Sequence, residues 1–440
     1  MVNDVMSQLT QAKGQEGLTP ESASLEIQKV YKNIISKFLI PSPLKKSNWL
    51  SEYVGGEVYL KLESLNPNGS FKVRGALNAV SKLKERLKQQ NSQDPIKIVA
   101  ASAGNHAQGV AYACRELGCA AHIFLPKQAS LIKRDATEKL GAKIYLVGDN
   151  IEEATQAALE FCAAQNAHFI HPFNNYDIII GQGTCALETY SQLSDLKKTP
   201  TPQLDYFVTS IGGGGLMSGA CLYFSSFPKI KMIGVEQELF NSAAVSLHAQ
   251  KHIPAAHEKA KKATTIADGI AVKMIGNLNY EYMAPYIEKV TQVSDDHIVQ
   301  AILGLCEKEH VVSEGAGAAG VAELLAHPKQ YADKLTVVCV SGGNIDLGLL
   351  NRVITRGLKV TGRVLRLKVC VSDKPGGLRS LLDYVANMEG NILDLVHDRT
   401  YSSVAVGYVD VEISLETRGA GHQRDLIQKL EEVGFCPRVE

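Results

Sequence analysis

The sequence predicts an α/β protein. Two mostly parallel sheets are covered on both faces by helices, and a small ferredoxin-like βαββαβ unit follows. Three observations carry that prediction. From about residue 20 to 350, short and nearly continuous apolar runs alternate with longer segments of helical spacing, the pattern of strands buried on both faces. After Arg363 the texture changes to period-two alternation in Leu365-Arg366-Leu367-Lys368-Val369. The chain has 440 residues. At about 150 residues per domain, that length provides roughly three domain-sized units.

Taken in order, the strand series opens with the run from Val58 to Glu63. It continues through Ile98-Val99-Ala100, Ala121-His122-Ile123-Phe124-Leu125, Lys143-Ile144-Tyr145-Leu146-Val147 and Phe169-Ile170. Tyr206-Phe207-Val208, Met232-Ile233-Gly234-Val235 and the run from Leu335 to Val340 complete it. Between them, the stretches from Gln108 to Leu117 and from Ile151 to Gln165 carry apolar residues at helical spacing. So many strands call for two sheets. In the C-terminal part, Pro375-Gly376-Gly377 opens a helix that runs to Met388. Strands from Asn391 to His397 and from Val404 to Leu415 follow, then a helix from His422 to Val433. A unit of about 75 residues is an appended module rather than a catalytic core. The expected organisation is a polar tail over 1–20, a core over 21–350 with a smaller subdomain of about 70–165 set within it, and the C-terminal unit over 362–440.

Composition narrows the partners. Lys and Arg number 46 and so do Asp and Glu, for a formal net charge of zero. Nucleic acid or an anionic membrane surface selects for a basic excess, so neither is expected as a partner. The nine cysteines are scattered and never spaced as CxxC, which predicts reduced packing residues and a cytoplasmic setting. No apolar run approaches the roughly 20 residues of a spanning helix, and the first twenty residues lack the apolar segment of a signal peptide. The Lys-rich stretch over 250–262 reads as a solvated surface.

Three strand ends are unusually polar or glycine-rich, and in open α/β sheets ligands sit at such ends. After Thr209 comes Ser210-Ile211-Gly212-Gly213-Gly214-Gly215-Leu216, leading into a helix. Four glycines let the backbone turn its N–H groups toward one point above a helix N-terminus, which suits a phosphate. The dinucleotide glycine spacing fails, because Met217 or Ser218 occupies its last position. Gly104 and Gly109 have P-loop spacing but lack the Lys-Ser/Thr that must follow. The second end is Ala101-Ser102-Ala103-Gly104-Asn105-His106, whose hydroxyl, amide, imidazole and free N–H groups suit a carboxylate. The third, Ser341-Gly342-Gly343-Asn344, offers a neutral hydroxyl.

A phosphorylated cofactor that is not a nucleotide points to pyridoxal phosphate, which needs one lysine to condense with its aldehyde. The best candidate is Lys72 in Asn66-Pro67-Asn68-Gly69-Ser70-Phe71-Lys72-Val73-Arg74-Gly75-Ala76. Ser70 is placed to cap the following helix, with Lys72 in its first turn.

Taken together, the segment from Ser70 to Ala76, the segment from Ser102 to Gly109, the glycine loop, Thr265-Ile266-Ala267-Asp268-Gly269-Ile270-Ala271-Val272 and Ser341-Gly342-Gly343-Asn344 resemble the threonine ammonia-lyases. These are the threonine dehydratases of fold-type II, whose two-subdomain core is like that of tryptophan synthase β. The C-terminal unit resembles an ACT regulatory domain, on Asp373-Lys374-Pro375-Gly376-Gly377-Leu378 and Asn391-Ile392. The resemblance implies that Lys72 carries the pyridoxal 5'-phosphate, Phe71 packs on its ring and Asn105 contacts its 3-oxygen. It also implies that Gly212, Gly213, Gly214, Gly215 and Leu216 bind its phosphate, and that Ser341 faces the pyridine nitrogen. Ser102, Gly104, Asn105 and His106 would hold the carboxylate of L-threonine or L-serine. Pro375, Gly376, Gly377, Leu378 and Asn391 would bind an amino-acid effector where two such units pair. A homo-oligomer, dimer or tetramer, is implied as well.

Two other readings stay open. Serine racemases share these motifs, but resemble a Ser-Ser-Gly-Asn-His loop, and the second serine is Ala103 here. Their metal loop matches at Glu236 while the later acidic ligand falls near Ser242, so no metal is assigned. An amino-acid sensor with a retired catalytic part is the other. His168, His171 and Asp268 read as packing or loop residues.

Overall fold

The computed structural model describes residues 19–90, 95–255, 264–398 and 404–440. The polar tail up to residue 18 and residues 256–262 of the Lys-rich stretch lie outside the described residues. The chain divides into two units, Met1–Asp346 and Leu347–Glu440. The boundary falls before the helix Leu347–Val360, which belongs with the second unit and not with a core that extends to 350.

The strands of the first unit are β1 (Leu44–Lys46), β2 (Glu57–Leu62), β3 (Lys97–Ala101), β4 (Ala120–Leu125), β5 (Lys143–Leu146), β6 (His168–Phe169), β7 (Tyr206–Ser210), β8 (Lys231–Gln237), β9 (Ile287–Val293) and β10 (Leu335–Val340). They form two sheets, in the orders β1-β2-β10-β7-β8-β9 and β5-β4-β3-β6. Apart from the antiparallel edge pair β1–β2, every pairing is parallel. Strand β10 shows why the apolar runs are continuous. All six of its residues are buried, with β2 and β7 hydrogen-bonded on its two sides. β1 and β9 were not anticipated. The burial of β9 is mixed, and β1 is only three residues long, so neither carries an apolar run.

This strand order builds the site. β2, β10 and β7 are adjacent and parallel, so the segments leaving their carboxyl ends emerge side by side. Those segments lead to Lys72, to Ser341 and to the glycine loop.

The second unit is a four-stranded antiparallel sheet of β11 (Val364–Ser372), β12 (Asn391–Asp398), β13 (Tyr408–Glu416) and β14 (Arg438–Val439), in the order β12-β13-β11-β14. Helices Gly377–Asn387 and Ala420–Glu432 complete a βαββαβ unit of ferredoxin-like order, which fits an ACT-like domain. The period-two alternation of β11 is literal: Leu365, Leu367, Val369 and Val371 are buried, and they pack with Leu381, Leu426 and their neighbours.

Candidate active site

Lys72 is the first residue of the helix Lys72–Gln89. Ser70 does not cap that helix, as the sequence suggested. Phe71 is its N-cap residue with no side-chain cap, while Ser70 forms an isolated antiparallel bridge with Gly342. The bridge is reinforced when Phe71 donates its N–H to the Ser341 carbonyl (3.1 Å) and Gly343 donates to the Gly69 carbonyl (2.9 Å). The lysine loop is thereby tied to the serine loop. Deeper in, the lysine helix meets the helix Tyr176–Lys197 at a glycine contact, where a Cβ on Gly181 would lie 2.7 Å from the Gly75 Cα. Gly75 of the lysine motif is thus a close-approach residue. The Lys72 Nζ lies 5.1 Å from the Phe71 ring centroid and donates no hydrogen bond to a described residue. Burial pushes its ammonium down to about 8, against the opposing charge of Glu314.

Opposite the lysine is the glycine loop. Gly214 has φ of +96° and is the N-cap of the helix Gly215–Phe224, a left-handed turn that aims N–H groups outward. A Cβ on Gly213 would collide with the Phe173 ring, and one on Gly214 would lie 2.8 Å from the Asn279 Cβ. Gly213, Gly214, Gly215 and Leu216 line one cavity with Phe71, Lys72, Asn105 and Ser341. Gly212 does not line it; its Cα faces Gly269 and Ile270 instead. Ser341 is buried, its Oγ 3.3 Å from that of Ser210, so a neutral hydroxyl pair lines the same cavity.

A neighbouring cleft of about 480 Å³ shares Lys72, Asn105 and Gly213, and adds Ser102, Ala103, Gly104 and His106. The loop over 102–106 leads into the helix Asn105–Leu117, with Gly104 at the N-cap, so free N–H groups face the cleft. Ser102 Oγ accepts from the N–H of Gly104 at 3.2 Å. His106 is already engaged, because its Nε2 donates to the Ile170 carbonyl at 2.9 Å. Burial, then the Lys72 charge, pushes its imidazolium down to about 3, so it is neutral. Asp268 pairs with Lys133 (2.7 Å) and His171 Nδ1 accepts from two loop N–H groups, in keeping with loop roles.

Residues 35–343 match the family described as "Pyridoxal-phosphate dependent enzyme". An L-threonine ammonia-lyase of Thermotoga maritima is 39% identical over 94% of this chain and 98% of its own length. The chain belongs to the threonine ammonia-lyase family of pyridoxal-phosphate enzymes. A second L-threonine ammonia-lyase, from Geobacter sulfurreducens, is 37% identical over 89% of this chain and 93% of its own. Among solved structures, the processed threonine deaminase isoform 2 of Solanum lycopersicum superposes with a TM-score of 0.69 at 31% identity, covering 79% of this chain and 90% of that one. A serine racemase from Dictyostelium discoideum gives 0.64 at 29% identity, covering 73% and 98%.

The ammonia-lyase site fits that cofactor on its own geometry. A buried amine without a hydrogen-bond partner among the described residues shares its cavity with a glycine cradle in which side chains are excluded by Phe173 and Asn279. Three of its residues escaped the sequence reading. Phe173 walls both cavities and packs on Gly213. Asn279 is fully buried, and with its amide oxygen and nitrogen assigned so that both are satisfied it accepts from the N–H of Gly215 at 3.0 Å and donates to the Phe173 carbonyl at 3.2 Å. Glu314, buried at the start of the helix Gly315–Ala326, accepts from the Asn105 Nδ2 at 2.6 Å. The available signal for Glu314 was an acidic residue directly before Gly315-Ala316-Gly317-Ala318-Ala319-Gly320, a helix too small-sided to carry a solvated face.

Among the described residues no cluster of His, Cys, Asp or Glu could hold a metal. Glu236 instead accepts the N–H groups of Ala243 and Ala244 at 2.8 and 2.9 Å. In the second unit, Gly376 (φ +94°) and Gly377 make the turn after β11, while Asn391 begins β12 and donates to Glu416 at 3.1 Å. The register sets Ser372 opposite Tyr408 and Asn391 opposite Glu416, at the two ends of β13. Pro375, Gly376, Gly377 and Leu378 are therefore separated from Asn391 by the length of the sheet, roughly 25 Å at about 3.3 Å per residue, and one copy does not bring them together.

The cradle yields a direct expectation. In Gly214→Ala the left-handed φ costs about 1–2 kcal/mol, and relief of that strain tilts the N–H groups away from one point. Cofactor affinity should fall roughly five- to thirty-fold, read by absorbance titration with pyridoxal phosphate. Unchanged affinity in a folded variant would remove the loop from phosphate binding.

Proposed function

We propose that this chain deaminates L-threonine to 2-oxobutanoate and ammonia, and L-serine to pyruvate, with Lys72 as catalytic base. The observation that carries the reading is Lys72 set between the glycine cradle and the 102–106 loop, with neutral Ser341 in the same cavity. Pyridoxal phosphate, when bound, supplies the electron sink that makes a substrate Cα–H bond acidic.

The chain's own groups do the rest. N–H groups at the start of the helix Asn105–Leu117 and the Ser102 hydroxyl receive the substrate carboxylate. The Lys72 amine takes the Cα proton. Ser341, a hydroxyl rather than a carboxylate, would give the cofactor's ring nitrogen no anionic partner to hold it protonated. That disfavours a long-lived carbanion and favours early loss of the β-hydroxyl. One water leaves in the elimination, and another enters when the released enamine hydrolyses to keto acid and ammonia. The balance is threonine to 2-oxobutanoate plus ammonia.

The ACT-like unit supports a second part of the proposal, control by a small amino acid. Because the 375–378 turn and Asn391 are far apart in one copy, such an effector site draws on two copies of the chain, consistent with a homo-oligomer. The test is a keto-acid assay over L-threonine, L-serine and D-serine with added pyridoxal phosphate, repeated with isoleucine or valine. Keto acid from L-threonine and a shifted saturation curve are expected. Appreciable D-serine recovered from L-serine would favour the racemase reading despite Ala103. No keto acid would favour the sensor, and an unmoved curve would remove the effector.

A further inference from the structure

The buried carboxyl of Glu314 has no part in the chemistry above, yet it lines both cavities beside Lys72. Among the described residues its one hydrogen-bonding side-chain partner is Asn105, 209 residues away in sequence. We propose that Glu314 is a positioning residue of the ammonia-lyase site, which fixes the Asn105 amide so that its second N–H is left for the bound cofactor.

The hydrogen-bond geometry leads there step by step. The Asn105 Oδ1 accepts from the Asn344 Nδ2 at 2.8 Å, and Asn344 is anchored by donating to the Asn68 carbonyl, also at 2.8 Å. That settles which end of the Asn105 amide is oxygen. The Nδ2 then donates to the Glu314 Oε1 at 2.6 Å. A primary amide nitrogen carries two hydrogens in fixed, divergent directions. With one taken by Glu314, the other is the side-chain hydrogen Asn105 has left, and Asn105 lines the cavity beside Lys72.

The carboxylate is itself held rigidly. Its residue donates its backbone N–H to the Gly342 carbonyl at 3.1 Å, and a Cβ on Gly342 would collide with the Glu314 Oε1. The Ser341-Gly342 turn thus shapes the pocket for this side chain, and the glycine is required by the carboxylate. The charged groups facing Glu314 are Lys72 and Lys133, which favour its ionised form, and Asp268, which opposes it. Burial raises its pKa to about 7, so near neutrality it is ionised in part, as a charge-assisted acceptor.

The inference rests on the pyridoxal-phosphate reading of the site, and the experiment separates the two. Cofactor dissociation constants and kcat/KM are measured for wild type, Asn105→Ala, Glu314→Ala, the double variant, Glu314→Gln and Glu314→Asp, with thermal unfolding as the fold control. Each alanine variant should weaken cofactor binding about tenfold, and the double variant no more than about twofold further, because both remove one device. Glutamine keeps an acceptor at the same reach and should stay within about threefold of wild type. Aspartate keeps the charge but not the reach and should fall as far as alanine. Losses that multiply to about a hundredfold in the double variant would overturn the proposal, and so would glutamine failing where aspartate succeeds. If Glu314→Ala does not fold, the glutamine–aspartate contrast decides alone. A wild type that binds no pyridoxal phosphate would sink the reading of the site itself, whereas normal binding in every variant would sink only the role of Glu314.

Discussion

Replacement of Lys72 by alanine is expected to abolish keto-acid release and, with it, the visible absorbance of the lysine-bound cofactor. Two losses coincide in that variant. The covalent attachment point disappears, and so does the base. Positioned proton transfer alone contributes roughly 10²–10⁴-fold. The wild-type side chain is suited to the task because it is buried without a hydrogen-bond partner among the described residues, which lowers its pKa from 10.5 to about 8. At pH 7 the free amine fraction then rises from about one in three thousand to about one in ten. Added methylamine offers a discriminating control. Partial recovery of turnover in Lys72→Ala with the amine would point to the lost base, while retained dehydration without it would sink the assignment of Lys72.

Glu188→Ala should cost about 3–5 kcal/mol of folding free energy, since it leaves a buried charge without its partner. Glu188 lies between two cations. Lys61 Nζ is 2.6 Å from its Oε1, and the Arg74 guanidinium is 2.7 Å from the same oxygen. Arg74 also forks onto Glu63, at 2.7 and 2.8 Å, and all four side chains are buried. The network is balanced at two positive and two negative groups. Removal of Glu188 strands one positive charge away from water, and the denaturant midpoint reports it. A loss below about 1 kcal/mol would show that the cluster is solvated after all.

The same cluster gives a pH dependence. Burial would raise the Glu63 carboxyl, but the charge and hydrogen bonds of Arg74 hold it down, at about 2 against 4.5 when unperturbed. A carboxylate with a depressed folded-state pKa contributes stability that is present above 4.5 and lost as pH falls toward 2. Arg74 is two residues beyond Lys72 on the same helix, so acid loosening of the cluster reaches the start of that helix.

The sequence alone determined the two-sheet α/β core, the C-terminal βαββαβ unit, the lysine, and the glycine and serine loops. Each depends on neighbours in the chain. An apolar run buried on two faces, a glycine at positive φ, or N–H groups freed at a helix start are all written within about ten residues. The error at Ser70 shows where local reasoning ends. Its position was right for a cap, but the backbone pairs instead with Gly342, more than 270 residues on. Glu314, Phe173, Asn279 and the Lys61–Glu63–Arg74–Glu188 cluster belong to the same class. Their roles come from contacts between segments far apart in the chain: Glu314 with Asn105, Phe173 with Gly213, Asn279 with Gly214, and Glu188 with Lys61 and Arg74. Which buried polar group meets which partner is decided by that packing, because a desolvated charge must find its counterpart in space, and no local pattern encodes where that counterpart lies.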